Sequence, residues 1–175
     1  VLKNTILYPF IREDKEQVKV ILDTFEYFKD PKNYKDSSPK FTFSYLCTPH
    51  LPYFFDENGN LNDFSAAYTL DNLSAYTSTL KYVQKEIIEI TKNIIKNDPE
   101  AIIILQSDHS IRFGADIDDI DKQKVLNAVY FAGEDVNEIN GKSAIDTLRY
   151  VYSKELNVDL PAIGEVKKWE NLIIK

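Results

Sequence analysis

The chain holds two histidines, His50 and His109, and each sits where an imidazole could do chemistry. His109 follows Asp108 within Gln106-Ser107-Asp108-His109-Ser110. A carboxylate and an imidazole side by side are good ligands for Zn²⁺ or Mn²⁺, provided that the alternation of a strand breaks down there and lets both side chains converge. A bare Asp-His pair also has a bland use, in which the aspartate turns the chain and the histidine is simply a satisfied polar residue. His50 lies in Thr48-Pro49-His50-Leu51-Pro52-Tyr53, where two prolines remove backbone donors and fix the local dihedrals. That stretch reads as a rigid loop presenting an imidazole.

The elements around these residues decide whether the histidines can share a site. Ala101-Ile102-Ile103-Ile104-Leu105 is continuously apolar and reads as a central parallel strand buried on both faces. Phe41 to Cys47, rich in aromatic strand formers, reads as a second strand. Between them, Leu73, Tyr76, Leu80, Val83, Ile87, Ile90 and Ile94 recur at helical spacing, predicting one long helix from about residue 65 to 96. Ile88 and Ile95 widen its apolar face beyond a coiled-coil seam, which suits a helix lying on a sheet, and Asn97-Asp98-Pro99 stops it. Strand, helix and strand make a right-handed βαβ unit, whose parallel strands end on the same edge of the sheet. Ligands of open α/β sheets bind outside that edge, and both histidines are expected there.

Val18, Leu22, Phe25 and Phe28 predict an amphipathic helix over residues 13 to 29, ended by Pro31. Asn58-Gly59 signals a turn, residues 125 to 132 a third strand, and Ile145, Leu148, Val151 and Tyr152 a last helix over 143 to 155. The expected fold class is therefore three-layer α/β, a mainly parallel sheet with flanking helices, in a single domain over residues 1–175. A composition of 43% hydrophobic and 28% charged residues is that of an ordinary globular domain. The net charge of −7 supplies no cationic stripe and excludes sequence-independent nucleic-acid binding. Cys47, the single cysteine, is expected to be a small buried hydrophobe. Asp116, Asp118, Asp119 and Asp121 lack the turn glycine and terminal glutamate of an EF-hand loop and read as a solvated loop. Several of the tyrosines and phenylalanines fall on the apolar helix faces, so these aromatics read as core rather than as a stacking surface for carbohydrate or bases. No apolar run reaches the ~20 residues that span a bilayer, so the chain as given is expected to be soluble. A start at Val1 with no methionine anywhere is what a processed or trimmed chain would show.

Ile-Ile-Ile-Leu-Gln-Ser-Asp-His-Ser followed by Arg112 resembles the metal-ligand segment of the sulfatase and alkaline phosphatase superfamily. Pro49-His50-Leu51-Pro52-Tyr53, with Asn58-Gly59 after it, is similar to a Pro-His-x-Pro-Tyr segment of that superfamily's membrane-anchored branch. The likeness continues through Val125-Leu126-Asn127-Ala128 and Thr147-Leu148-Arg149 to Asp159-Leu160-Pro161, covering about residues 40–161. It implies the C-terminal portion of an alkaline phosphatase-like fold, with Asp108 and His109 holding a divalent metal (Zn, Mn, Mg or Ca). It implies further that His50, and more weakly Arg112, contact an anionic sulfate or phosphate ester. The nucleophile and the first acidic ligand of such proteins have no match here, so the resemblance assigns them to a missing N-terminal half. The chain alone would then be inactive, and its parent anchored in a membrane with this domain outside the cytoplasm. The competing expectation is a non-catalytic α/β binding domain in which Asp108 and His109 are structural.

Overall fold

The computed structural model describes residues 8–34, 39–111, 124–139 and 142–160. Arg112, the acidic cluster at 116–121 and the tail beyond residue 160 lie outside the described residues. The chain divides into two compact units, one made by the described residues up to Pro99 and the other by those from Glu100 onward.

The first unit is built on two long helices, α1 (Tyr8–Lys29) and α3 (Leu73–Asn97), with the short α2 (Phe64–Tyr68) between them in sequence. On α1 the buried positions among the described side chains are Ile21 and Phe25, with Val18 and Phe28 packed against the same cluster, whereas Leu22, expected in the stripe, is 38% exposed. The predicted helix over 65–96 is interrupted. Thr69 leaves the helix in an extended conformation, and Asn72 caps a new one by accepting from the Ala75 N–H at 3.0 Å. Asp63 does the same for α2 through the Ala66 N–H at 2.8 Å. Short polar side chains that bond nearby backbone N–H groups favour such starts over continuing a helix. The core-facing stripe of α3 is Ala75, Thr79, Val83 and Ile90, and Ile88 is exposed rather than part of a widened face. Lys29 ties the helices together: its ammonium lies 2.7 Å from Glu86, and its carbonyl accepts from Asn93 at 2.6 Å. The cluster is completed by Phe54 and Phe55, which lie beside the isolated bridge between Phe55 and Leu61.

Residues 41–47 form no strand; residues 41–45 are all exposed, Phe41, Phe43 and Tyr45 among them, and Leu46 packs toward the core. Cys47 is consequently exposed, where a buried small hydrophobe was expected. Strand propensity needs ladder partners and a covering layer to be realised, and 41–47 has no ladder partner among the described residues.

The second unit contains β1 (Ile102–Gln106), β2 (Asn127–Phe131) and α4 (Ala144–Leu156). The strands pair antiparallel, with Ile104 opposite Val129 and Gln106 opposite Asn127. The fold is thus mixed helix and strand, and the parallel βαβ unit and three-layer sheet are not present among the described residues. The β1 residues are all half-buried rather than enclosed on both faces. Ser107 N–H donates to the Leu126 carbonyl at 3.0 Å, which fixes the phase of the ladder. Ile103 and Leu105 therefore direct their backbone groups toward β2, and Ile102, Ile104 and Gln106 direct theirs to the other edge. The helix α4 is tied to the strand ends by polar side chains. Gln106 donates to Asn127 Oδ1 (2.9 Å) and to the Ala144 carbonyl (3.0 Å), while Asn127 donates to Thr147 Oγ1 (2.7 Å). Ser143 caps α4 at its N-terminus, and Asn157 ends it in the left-handed conformation with φ 50°.

Candidate functional site

The aliphatic run of β1 ends at Gln106, and the chain leaves the strand through Ser107 into an Asp108-His109-Ser110 turn. Two contacts anchor this departure, Ser107 N–H to the Leu126 carbonyl and Leu126 N–H to Ser107 Oγ at 2.8 Å. Loss of strand alternation at that point lets neighbouring side chains converge. Asp108 Oδ1 accepts from the His109 backbone N–H at 3.0 Å, and Oδ2 lies 3.8 Å from His109 Nε2. Two ligands at about 2.1 Å from one tetrahedral metal stand about 3.4 Å apart, so this pair is within a few tenths of an ångström of a metal-ligand bite.

His109 Nδ1 lies 2.7 Å from the Ser110 carbonyl. A carbonyl can only accept, so Nδ1 carries the proton, and in the neutral ring the lone pair is on Nε2, the atom that faces Asp108. Fixing the tautomer through the second nitrogen is how metal-ligating imidazoles are commonly oriented. The carboxylate is mostly exposed and the imidazole half-buried, so an ion could reach both.

His50 follows the same local rule in the first unit. Its Nδ1 lies 2.7 Å from the Leu51 carbonyl, which again assigns Nε2 as the acceptor in the neutral ring. Both flanking prolyl bonds, Thr48–Pro49 and Leu51–Pro52, are cis, and His50 is exposed. The loop is held from behind by a buried run. Tyr53 N–H donates to the Ala67 carbonyl at 2.8 Å and its hydroxyl to the Leu70 carbonyl at 3.0 Å. Asn62 Nδ2 donates to the carbonyls of Tyr53 (2.8 Å) and Phe55 (3.0 Å), and Thr79 Oγ1 donates to Phe55 at 2.5 Å. Burial raises the Tyr53 hydroxyl above its ordinary range.

The Asn58-Gly59 turn that follows is real, with Gly59 at φ 86°. Asp56 organises it, accepting from the backbone N–H groups of Asn58 and Asn60 and from the Asn60 side chain, at 2.8 to 2.9 Å. The Asn60 side-chain donor is the chief reason that the Asp56 carboxyl is held below its usual range, with the backbone donors adding to it. Lys81 and Lys85 pin the turn to α3 through Glu57.

The structure brings Asp108 and His109 together within the second unit and places His50 in the first; Arg112 lies outside the described residues. No group of three or more potential metal ligands occurs among the described residues, so the Asp108–His109 pair is a partial ligand set. A cleft of about 450 Å³ in the first unit, lined by Val18, Leu22, Phe54, Leu61 and Ala67 among others, includes none of the candidate residues. Sequence reasoning missed the Ser110 and Leu51 carbonyls that set both tautomers, because every residue has a carbonyl and nothing in its type marks its direction. No helix among the described residues is long and apolar enough to cross a membrane. Comparison with protein-family models, with curated proteins and with solved structures gave no match.

Proposed function

We propose that this chain is the C-terminal portion of a metal-dependent hydrolase or transferase domain that acts on sulfate, phosphate or phosphodiester groups. Asp108 and His109 supply two ligands to a divalent metal, and His50 and Arg112 contact the anion. The reading rests on the sequence likeness over residues 40–161. The observation that supports it best is the carboxylate and the Nε2 lone pair, 3.8 Å apart just past the end of β1, with the tautomer set by Ser110. A bound cation would offset charge developing on a transferring sulfuryl or phosphoryl oxygen, and it would need further ligands than these two.

The nucleophile and remaining ligands belong, in this reading, to an upstream half of the domain. That half would also complete a mainly parallel, three-layer sheet. One feature favours completion: the four aliphatics of β1 are only half-buried. The parent would carry a membrane anchor and expose this domain outside the cytoplasm. A second reading, a non-catalytic α/β binding domain, is favoured by the absence of a third ligand among the described residues.

Metal analysis together with hydrolysis of chromogenic sulfate and phosphate esters, on this chain and on a longer parent, separates the two. The hydrolase reading expects metal and turnover in the parent, both lost on Asp108→Asn or His109→Ala. A metal-free, inactive parent would sink it.

A further inference from the structure

Among the described residues of the second unit, β1 is paired along one edge only. On the other edge, the N–H and C=O groups of Ile102, Ile104 and Gln106 have no hydrogen-bond partner among the described residues, as the ladder phase set by Ser107 and Leu126 requires. Nothing along Ile-Ile-Ile-Leu-Gln protects this edge: it has no charge, proline or bulge, the devices that normally keep edge strands from pairing. An uncharged aliphatic strand with an open row of donors and acceptors is a template for one more strand.

We infer that in this chain the outer edge of β1 takes up a β-strand supplied by residues 40–46 of a second copy. The chemistry of that segment fits. Phe41 and Phe43 are 79% and 78% exposed, and Thr42, Ser44 and Leu46 alternate with aromatic residues in a stretch that carries no charge after Lys40. The edge is bounded by two exposed carboxylates, Glu100 before the strand and Asp108 after it. An in-register parallel strand sets the partner's Lys40 beside Glu100, and an antiparallel one sets it beside Asp108. Either direction joins opposite charges. Pairing of β1 with its own copy is disfavoured by the same carboxylates, since symmetric antiparallel pairing about Ile104 opposes Glu100 to the partner's Asp108.

The inference concerns backbone edges and does not depend on the hydrolase reading. Sedimentation equilibrium with amide exchange tests it on the full chain. The expected result is a concentration-dependent dimer in which the amides of Ile102, Ile104 and Gln106 exchange at least ~10-fold more slowly than in the monomer. Ile104→Pro removes a donor that faces away from β2, so it abolishes the dimer while Ile103 and Leu105 stay protected. Phe43→Lys abolishes it from the other side without touching β1. A chain that stays monomeric, or a dimer that survives both substitutions or leaves the three amides in fast exchange, overturns the inference.

Discussion

The Phe55 carbonyl lets the stability of the His50 loop be tested by two substitutions that should not add. This carbonyl lies in a fully buried residue and accepts from two side chains, Thr79 Oγ1 at 2.5 Å and Asn62 Nδ2 at 3.0 Å. Thr79→Val removes one donor and leaves the other, so the loss is a single net hydrogen bond, about 1 kcal/mol. Asn62→Ala also strips the Tyr53 carbonyl of its 2.8 Å side-chain donor in a residue only 2% exposed. That substitution should cost about 2 kcal/mol, because one buried acceptor loses a donor and the other keeps one. Only the double variant leaves the Phe55 carbonyl with neither, and orphaning a buried acceptor adds about 1 to 2 kcal/mol beyond the sum. Urea denaturation followed by near-ultraviolet tyrosine dichroism reports on this unit, where Tyr53 and Tyr76 meet edge to face with ring centroids 5.8 Å apart. Single-variant losses that add to within about 0.5 kcal/mol of the double variant would refute the shared-acceptor argument.

Phe25→Ala empties the centre of the first unit, where Phe25 is 1% exposed, and should cost about 3 to 5 kcal/mol in the same denaturation experiment. Gly59→Ala strains a φ of 86° and sets a Cβ 2.7 Å from the Tyr82 ring, so it should lower the melting temperature where an exposed Gly→Ala change would raise it. Ser143→Ala removes the cap that accepts from Asp146 N–H at 3.1 Å and should cost the second unit about 1 kcal/mol, read by amide exchange in α4. Alkaline pH should loosen the first unit. The Lys29 ammonium is held above 10.5 chiefly by its hydrogen bond to Glu86, and burial holds Tyr53, Tyr76 and Tyr82 above 10.0. The folded state keeps all four protons more tightly than the unfolded chain, so this stability is complete below about pH 10 and drains away as pH rises through the raised values. A melting temperature that already falls between about pH 7 and 9 would argue against it.

What was legible in the sequence follows from how local each signal is. The helix over 13–29, the stop at 97–99, and the strands at 101–105 and 125–132 are set by periodicity and by prolines or caps within a few residues, and each element exists, the helix ending as expected at Lys29 but starting earlier, at Tyr8. The unbroken helix over 65–96 failed because apolar spacing does not register a capping asparagine. Thr69 ends one hydrogen-bond series and Asn72 begins another, so the stripe from Leu73 to Ile94 lies wholly in the second helix. Apolar spacing nominated Leu22 on the first helix and Ile88 on the wider face of the long one, yet the buried positions on those helices include Ile21 and Thr79, since the angle at which a neighbour packs chooses the face. Residues 41–47 have strand chemistry and no ladder among the described residues, which shows propensity without a partner. For the candidate site, the residue types at 108 and 109 were legible, and so was their place past a strand. The tautomers were not, because they depend on the direction of the Ser110 and Leu51 carbonyls.

Those carbonyls give the sharpest distinction between a ligand pair and a structural turn. In a turn, Asp108 does its work through Oδ1, which accepts the His109 N–H. A ligand pair uses Oδ2 and Nε2, which lie 3.8 Å apart. The two uses respond differently to Asp108→Asn. The amide keeps an oxygen for the backbone N–H, so a turn loses little, but it removes the anionic charge that a hard cation needs. The expected outcome for a parent protein is unchanged stability to within about 0.5 kcal/mol, with metal affinity reduced at least ~10-fold in a competition titration with Zn²⁺ or Mn²⁺. His109→Ala should match that loss of affinity. A parent whose metal affinity and metal content are unchanged by Asp108→Asn would assign the pair to the turn.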